Sequence, residues 1–306
     1  RARREQSVTG SGHGLAMSAA SQGHSPGAWL SFRLGGLAGI RGTKALDDTL
    51  DDEAALGQLC QDLADLHQRF RQQQRQFLLV AEEEHLDVMA EGVRSLWPEA
   101  PDTEGDRWQI DPVSYDTREA WLTSTQVNFC ARSYPSVAPD HPDAAALTVL
   151  GGFLRNGFLH RTIREKGGAY GGGAGQDNVN GTFRFFSYRD PRLAETLDDF
   201  DASLEWLHKT DHDPQQLEEA VLGVISQLDK PRSPAGEARH AFHSRLFGRT
   251  PEQQERFRKR VLAVTVDDLK RVAGDWLRPE RASTAVITSH DNREAVTGLG
   301  LEVHEL

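Results

Sequence analysis

The stretch Arg164-Glu-Lys-Gly-Gly-Ala-Tyr170-Gly-Gly-Gly-Ala-Gly175 decides how this chain is read. A largely apolar helical pattern runs into it, and a strand with paired aromatics leaves it. It is the densest glycine cluster in the chain, with one cation and one phenol at fixed spacing. Glycines bunched between two elements mark a sharp turn or a close approach to the backbone. The plainest reading is a helix C-cap followed by a hairpin connection.

Upstream, Ala146, Leu147, Leu150, Phe153, Leu154, Phe158 and Ile163 give a broad apolar helix face fit for packing on a sheet. That helix starts near Asp140 or His141, with Pro142 in its first turn. It ends at Lys166, where Gly167-Gly168 meets the need for a left-handed cap. Downstream, Thr182-Phe-Arg-Phe-Phe-Ser-Tyr188 reads as a strand, and Asn180-Gly181 before it as a hairpin turn. Arg164 therefore falls in a last helical turn and Tyr170 at the start of the next strand, so both tips can converge on one spot. An Arg fork holds a carbonyl or carboxylate oxygen, and a Tyr hydroxyl donates to a carbonyl or a developing oxyanion. Gly171, Gly172 and Gly173 would let an extended peptide lie close. The structural alternative is that Arg164 neutralises the helix end and Tyr170 simply packs.

Farther out, residues 1–27 are rich in Gly, Ser, Ala and His. Gly10-Ser-Gly12-His-Gly14 imitates a phosphate loop without the preceding strand or the Gly-Lys-Ser/Thr that would make it one. Trp29 to Ile40 is apolar with glycine breaks. Leu46 to Phe70 reads as an amphipathic helix, with Leu56, Leu59, Leu63, Leu66 and Phe70 on one face. Phe77-Leu-Leu-Val-Ala81 reads as a buried strand, Glu82 to Trp97 as a helix and Pro98 to Pro112 as a connection. Ala120 to Ser133 reads as one strand. Helices follow over Pro191 to His208, from Asp213-Pro214, over Ala238 to Phe247, over Pro251 to Val261 and from a Thr265–Asp268 cap to Leu277. Ala282 to Thr288 is the last expected strand. This order predicts an α+β fold, a mixed and mainly antiparallel sheet covered by helices, rather than a regular βα alternation.

Composition narrows the function. The chain has 306 residues, 38% hydrophobic and 26% charged, with a net charge of -11. That balance argues against a nucleic-acid partner, which would call for a basic face. No run of eighteen apolar residues predicts a transmembrane helix, so no membrane partner is expected. Two cysteines, Cys60 and Cys130, are too few for a disulfide scaffold or a four-thiolate metal site. They make a reducing compartment the default, and a cytoplasmic location is expected. The opening Arg-Ala-Arg-Arg reads as the start of a fragment of a longer chain.

Neither His-x-x-Glu-His nor its inverse occurs. Glu237-x-x-His240-x-x-His243 fans around a helix, His208 and His212 straddle a helix end, and Glu82-Glu-Glu-His85 suits a dipole-favoured helix start. No metal ligands are assigned. No Gly-x-Ser-x-Gly elbow is present, neither cysteine has a nucleophile's surroundings, and a nucleotide enzyme built on Gly171–Gly175 lacks the Lys-Ser/Thr it needs.

Leu159-His-Arg-Thr-Ile-Arg164-Glu-Lys-Gly-Gly-Ala-Tyr170-Gly-Gly-Gly-Ala174 resembles the C-terminal half of the pitrilysin/insulinase family of zinc metalloproteases, nearest its presequence-protease branch. The likeness continues through Phe185-Phe-Ser-Tyr-Arg-Asp-Pro191, Leu34-Gly-Gly-Leu-Ala-Gly39 and Lys44-Ala-Leu-Asp-Asp48, covering nearly the whole chain. It implies four related α/β units in two halves that close around an unfolded peptide. Zinc belongs to the N-terminal half of the parent, bound by His-x-x-Glu-His and a downstream Glu. The C-terminal half contributes an Arg and a Tyr to the substrate, and Arg164 and Tyr170 match those positions. On this likeness residues 1–72 are the helical tail of a third unit and 73–306 a fourth, non-zinc unit. The chain alone is then expected to hold no catalytic zinc and to cleave nothing, its partners being the N-terminal half of the same polypeptide and a peptide substrate. The runner-up is a module of the same fold that has lost catalysis and serves as a binding or scaffold partner.

Overall fold

The computed structural model describes residues 2–97 and 110–306. They form two compact units, one of Arg1–Lys44, Asp111–Asp229 and Glu255–Leu306, the other of Ala45–Ile110 and Lys230–Gln254.

The first unit is built on a six-stranded sheet in the order β3-β4-β2-β5-β1-β6. The strands are β1 (Arg118–Thr123), β2 (Phe129–Pro135), β3 (Gly171–Asp177), β4 (Thr182–Tyr188), β5 (Ser283–Ser289) and β6 (Glu302–Glu305). Pairing is antiparallel for β3–β4, β4–β2 and β2–β5, and parallel for β5–β1 and β1–β6. The sheet is thus mixed and mostly antiparallel, as the element order predicts.

Alternation along the strands divides the core between two faces. Ala120, Leu122, Cys130, Tyr134, Phe183, Phe185 and Val286 point to one face, covered by α6 (Ala144–Leu154), a π-helix (Arg155–Lys166), α7 (Ala194–Lys209), α8 (Pro214–Leu228) and α11 (Val266–Trp276). Trp121, Phe129, Ala131, Ala285 and Ile287 point to the other, covered by α1 (Ala2–Ser21), α2 (Pro26–Gly35) and α3 (Leu37–Asp47) through Ala16, Ala19, Phe32, Leu37 and Ile40. The strands are apolar on both sides because each face is buried.

Several expectations change. Ala120 to Ser133 is two strands, interrupted at 124–128, where the buried Asn128 forms a backbone bridge with Asp190 instead of continuing the ladder. The short polar β6 follows the strand expected to be last; edge pairing with β1 rather than apolar pattern defines it. The helix ending at Lys166 is α-helical only to Leu154 and then widens, with Gly167 N–H donating to the Thr162 carbonyl five residues back. The phosphate-loop imitation at Gly10–Gly14 lies inside α1, which kinks at Ser11 (φ -135°, ψ 28°). Elsewhere caps act as read: Asp213 before Pro214 caps α8, and Thr265 with Asp268 forms a capping box for α11.

In the second unit, α4 (Glu53–Gln72), α5 (Glu83–Leu96) and α9 (Pro234–Leu246) contain no buried residue. Phe77-Leu-Leu-Val-Ala81 is not a buried strand; it has no regular structure, is unpaired among the described residues, and Phe77 is 47% exposed. Apolarity alone cannot make a strand where no neighbouring strand supplies hydrogen bonds. Most of the expected Pro98–Pro112 connection lies outside the described residues. Among those described, no helix is long and apolar enough to cross a membrane.

Candidate functional site

The glycines after the π-helix each meet a local demand. Gly167 is pressed against the Arg192 guanidinium and the Ile163 carbonyl, leaving no room for a β-carbon. Gly168 takes φ +80°, the left-handed conformation that side chains disfavour. Ala169 N–H then donates to the Ile163 carbonyl (3.1 Å), turning the chain back toward the sheet. Arg164 is left in the last helical turn and Tyr170 immediately before β3, its N–H donating to the Arg189 carbonyl at 3.3 Å.

The turn brings the two side chains together: the Arg164 guanidinium carbon stands 5.9 Å from the centroid of the Tyr170 ring. Arg164 is exposed and Tyr170 is 65% exposed. Among the described residues neither side chain's polar end has a hydrogen-bond partner, leaving a cation beside a phenol able to bind an oxygen of a ligand.

Gly171, Gly172 and Gly173 begin β3, one of the two edge strands of the sheet. A β-carbon at Gly171 would meet nothing within 4 Å; at Gly172 it would approach Ile163 (2.9 Å), and at Gly173 Arg155 (3.2 Å) and Phe186. The three leave a bare backbone along an edge that has one neighbour, β4, and a second hydrogen-bonding side unpaired within the sheet.

Residues not singled out in the sequence complete the surroundings. Tyr188 is paired in register with Gly171 and packs edge-on against Tyr170, centroids 5.5 Å apart at 85°. Arg189, with φ +49°, lays its guanidinium over Tyr188 at 5.4 Å. His13 of α1 packs against Tyr188 (4.8 Å) and Phe186 (5.6 Å), and burial lowers its pKa. The sequence offers Gly12 as a sign of close approach without naming its partner, Phe129; Gly10 and Gly14 meet nothing within 4 Å.

The other candidates fall elsewhere. His212 packs between Phe153 and Trp206, its Nε2 2.9 Å from the Leu207 carbonyl, whereas His208 is exposed. His243 stacks on Phe247. Burial pushes the Cys130 thiol up to about 12, which suits a core residue and not a nucleophile. Glu82, Glu84 and His85 bring ligand atoms within 4.8 Å of one another, fully exposed at one helix start. Exposed acidic groups of this kind are common without an ion, and at a helix start they complement the positive end of the dipole.

A family model described as the PreP C-terminal domain matches residues 118–288. The chain is 33% identical over 282 residues to the mitochondrial presequence protease of Yarrowia lipolytica, covering 90% of this chain and 28% of that protein. It is 40% identical over 163 residues to the mitochondrial presequence protease of Kluyveromyces lactis, covering 53% of this chain and 16% of that protein. Among solved structures, a protease from Helicobacter pylori superposes with a TM-score of 0.55 at 18% identity, covering 68% of this chain and 53% of that one. The chain thus spans 28% or less of the length of these two presequence proteases. Both are named mitochondrial, which corrects the expectation of a cytoplasmic location. A scarcity of cysteines points to a reducing compartment without saying which one.

Proposed function

Because the chain belongs to the PreP C-terminal domain family, in the presequence-protease branch of the pitrilysin proteases, we propose that it is the non-zinc C-terminal part of a mitochondrial zinc metalloendopeptidase whose Arg164 and Tyr170 bind the substrate and its transition state. The observation that carries this reading is the 5.9 Å approach of the Arg164 guanidinium to the Tyr170 ring at the head of the glycine edge strand. An extended peptide laid along the open edge of β3 would meet backbone donors and acceptors without side-chain obstruction at Gly171. Its carbonyl oxygens would then lie within reach of a guanidinium and a phenol. Zinc and its ligands come from the N-terminal half of the same polypeptide, which closes with this part around an unstructured peptide. In this reading residues 1–72 are the tail of the third repeat and 73–306 the fourth, a division by ancestry that does not have to follow packing.

The experiment uses the full-length protein that contains this chain. Loss of one transition-state donor lowers turnover on the order of 100-fold. Tyr170→Phe is expected to do this with an unchanged melting temperature, and Arg164→Ala to lower it as well. The 306-residue chain alone is expected to contain no stoichiometric zinc by elemental analysis and to leave a fluorogenic peptide uncut. Undiminished turnover in Tyr170→Phe would reduce Tyr170 to a packing residue. A full-length protein that cuts no peptide with zinc supplied would favour the scaffold reading.

A further inference from the structure

We propose that His13, on α1, is a positioning residue for Tyr170, acting through the ring of Tyr188. The proposal rests on the reading of Tyr170 as a substrate-binding group, and adds the N-terminal helix to the construction of that site.

Gly10-Ser-Gly12-His-Gly14 lies inside α1 and not in a loop. The kink at Ser11 redirects α1 as it reaches the sheet. At Gly12 the helix backbone sits on the Phe129 ring so closely that a β-carbon would lie 2.5 Å from Phe129 Cδ2. The missing side chain is therefore a condition of the docking. One residue later, His13 reaches the β4 aromatics, with ring centroids 4.8 Å from Tyr188 at 67° and 5.6 Å from Phe186.

Tyr188 is a hub. Its ring is met by His13, by Phe129 at 5.9 Å, by the Arg189 guanidinium at 5.4 Å and, edge-on, by Tyr170 at 5.5 Å. Tyr170 itself has few restraints. Among the described residues its hydroxyl makes no hydrogen bond, and its polar and ring contacts are with Arg164 and Tyr188. A phenol that is two-thirds exposed keeps one rotamer only if the ring it leans on is held from behind. His13 supplies part of that backing, in edge geometry that aromatic pairs favour. The His13 Nδ1 is buried and, among the described residues, has no hydrogen-bond partner. The imidazole is thus placed for its ring contacts, and burial favours its neutral form.

Two measurements test the proposal. In the full-length protein, His13→Ala is expected to lower kcat roughly tenfold with KM little changed, because a misplaced donor weakens the transition state more than the ground state. His13→Phe, which keeps a ring, restores most of the rate. In a Tyr170→Phe background His13→Ala has no further effect, since the group it positions is already gone. Equal losses in both backgrounds would overturn the proposal.

The second measurement needs no activity. Labelling the full-length protein with 3-fluorotyrosine gives each tyrosine a fluorine resonance, and Tyr170→Phe and Tyr134→Phe each identify one. His13→Ala is expected to move the Tyr170 resonance and leave that of buried Tyr134 in place; His13→Phe returns it toward its original position. A Tyr170 signal indifferent to His13→Ala while Tyr134 stays native rejects the relay. Should His13→Ala fail to fold, His13→Gln, which fills the space without a ring, replaces it. If Tyr170→Phe leaves turnover intact, the reading of the site fails, while the fluorine spectra still decide whether His13 orients Tyr170.

Discussion

The Arg192 guanidinium occupies the space where a side chain on Gly167 would begin. Arg192 is fixed there by Asp199, whose Oδ2 accepts from Nη2 at 2.8 Å, and by the Thr162 carbonyl at 3.5 Å. The end of the π-helix and the segment leaving β4 are thereby clamped on either side of Arg164 and Tyr170.

The two glycines of this clamp answer different constraints, and substitutions separate them. Gly167→Ala drives a methyl into Arg192 and the Ile163 carbonyl; Gly168→Ala imposes strain at φ +80°. Each is expected to lower stability by about 1–3 kcal/mol. Gly171→Ala meets open space at negative φ and should stay within about 0.5 kcal/mol of the wild type. Urea unfolding of the three variants checks this, and a wild-type midpoint for Gly167→Ala would show that both Arg192 and the Ile163 carbonyl give way freely.

Asp190 anchors the Arg189-Asp190-Pro191 segment that leaves β4. Its carboxylate is fully buried and accepts from Arg192 N–H (3.0 Å) and Thr196 Oγ1 (2.7 Å), while its backbone exchanges two hydrogen bonds with Asn128. Asp190→Ala leaves those two donors unpaired in the core, which costs roughly 3 kcal/mol or more. Asp190→Asn retains an acceptor and should lose less. Melting temperatures rank the three proteins, and equal losses for Ala and Asn would mean that the charge, rather than the hydrogen bonds, matters.

The elements legible in the sequence are those whose local pattern and tertiary role agree. The Thr182–Tyr188 strand, the Asn180-Gly181 turn, the Gly167-Gly168 cap and the Thr265–Asp268 capping box carry their own signals. The Arg164–Tyr170 approach was legible for the same reason, because a glycine turn between a helix end and a strand start leaves few other outcomes. What was not legible depends on partners distant in sequence. Phe77–Ala81 has strand composition but nothing to pair with, and polar β6 becomes a strand only because β1 offers an edge. His13 lies 175 residues before Tyr188, so its place beside the candidate site emerges only from the docking of α1.

The exposed face of α4 predicts self-association. Leu56, Leu63, Leu66 and Phe70 recur at helical spacing, and Leu63 and Phe70 are 56% and 64% exposed. A continuous apolar stripe of this kind marks an interface. Sedimentation of the isolated chain is expected to show mass rising with concentration, and the pair Leu63→Glu and Phe70→Glu to restore a monomer. A chain that sediments as a monomer at every concentration would show that the stripe tolerates water.

Glu119 makes stability depend on pH in the direction opposite to most carboxylates. It is buried on β1; its Oε1 accepts from Trp121 Nε1 (2.8 Å) and Gln22 Nε2 (3.0 Å), and its Oε2 lies 3.5 Å from His304 Nε2. Burial raises its pKa from 4.5 to about 6, although the two hydrogen bonds hold it down in part. Because the folded state holds the proton more tightly than the unfolded state, the folded protein is favoured while Glu119 is protonated. That advantage is lost as pH rises from 4.5 through 6, a difference of about 2 kcal/mol by neutral pH. Glutamine keeps the acceptor for Trp121 and Gln22 without the buried charge. Glu119→Gln is therefore expected to unfold at higher urea than the wild type at pH 7, by up to about 2 kcal/mol, and to match it near pH 4.5. A difference between the two proteins that is the same at both pH values, or that reverses sign, would mean that the His304 contact already compensates the carboxylate.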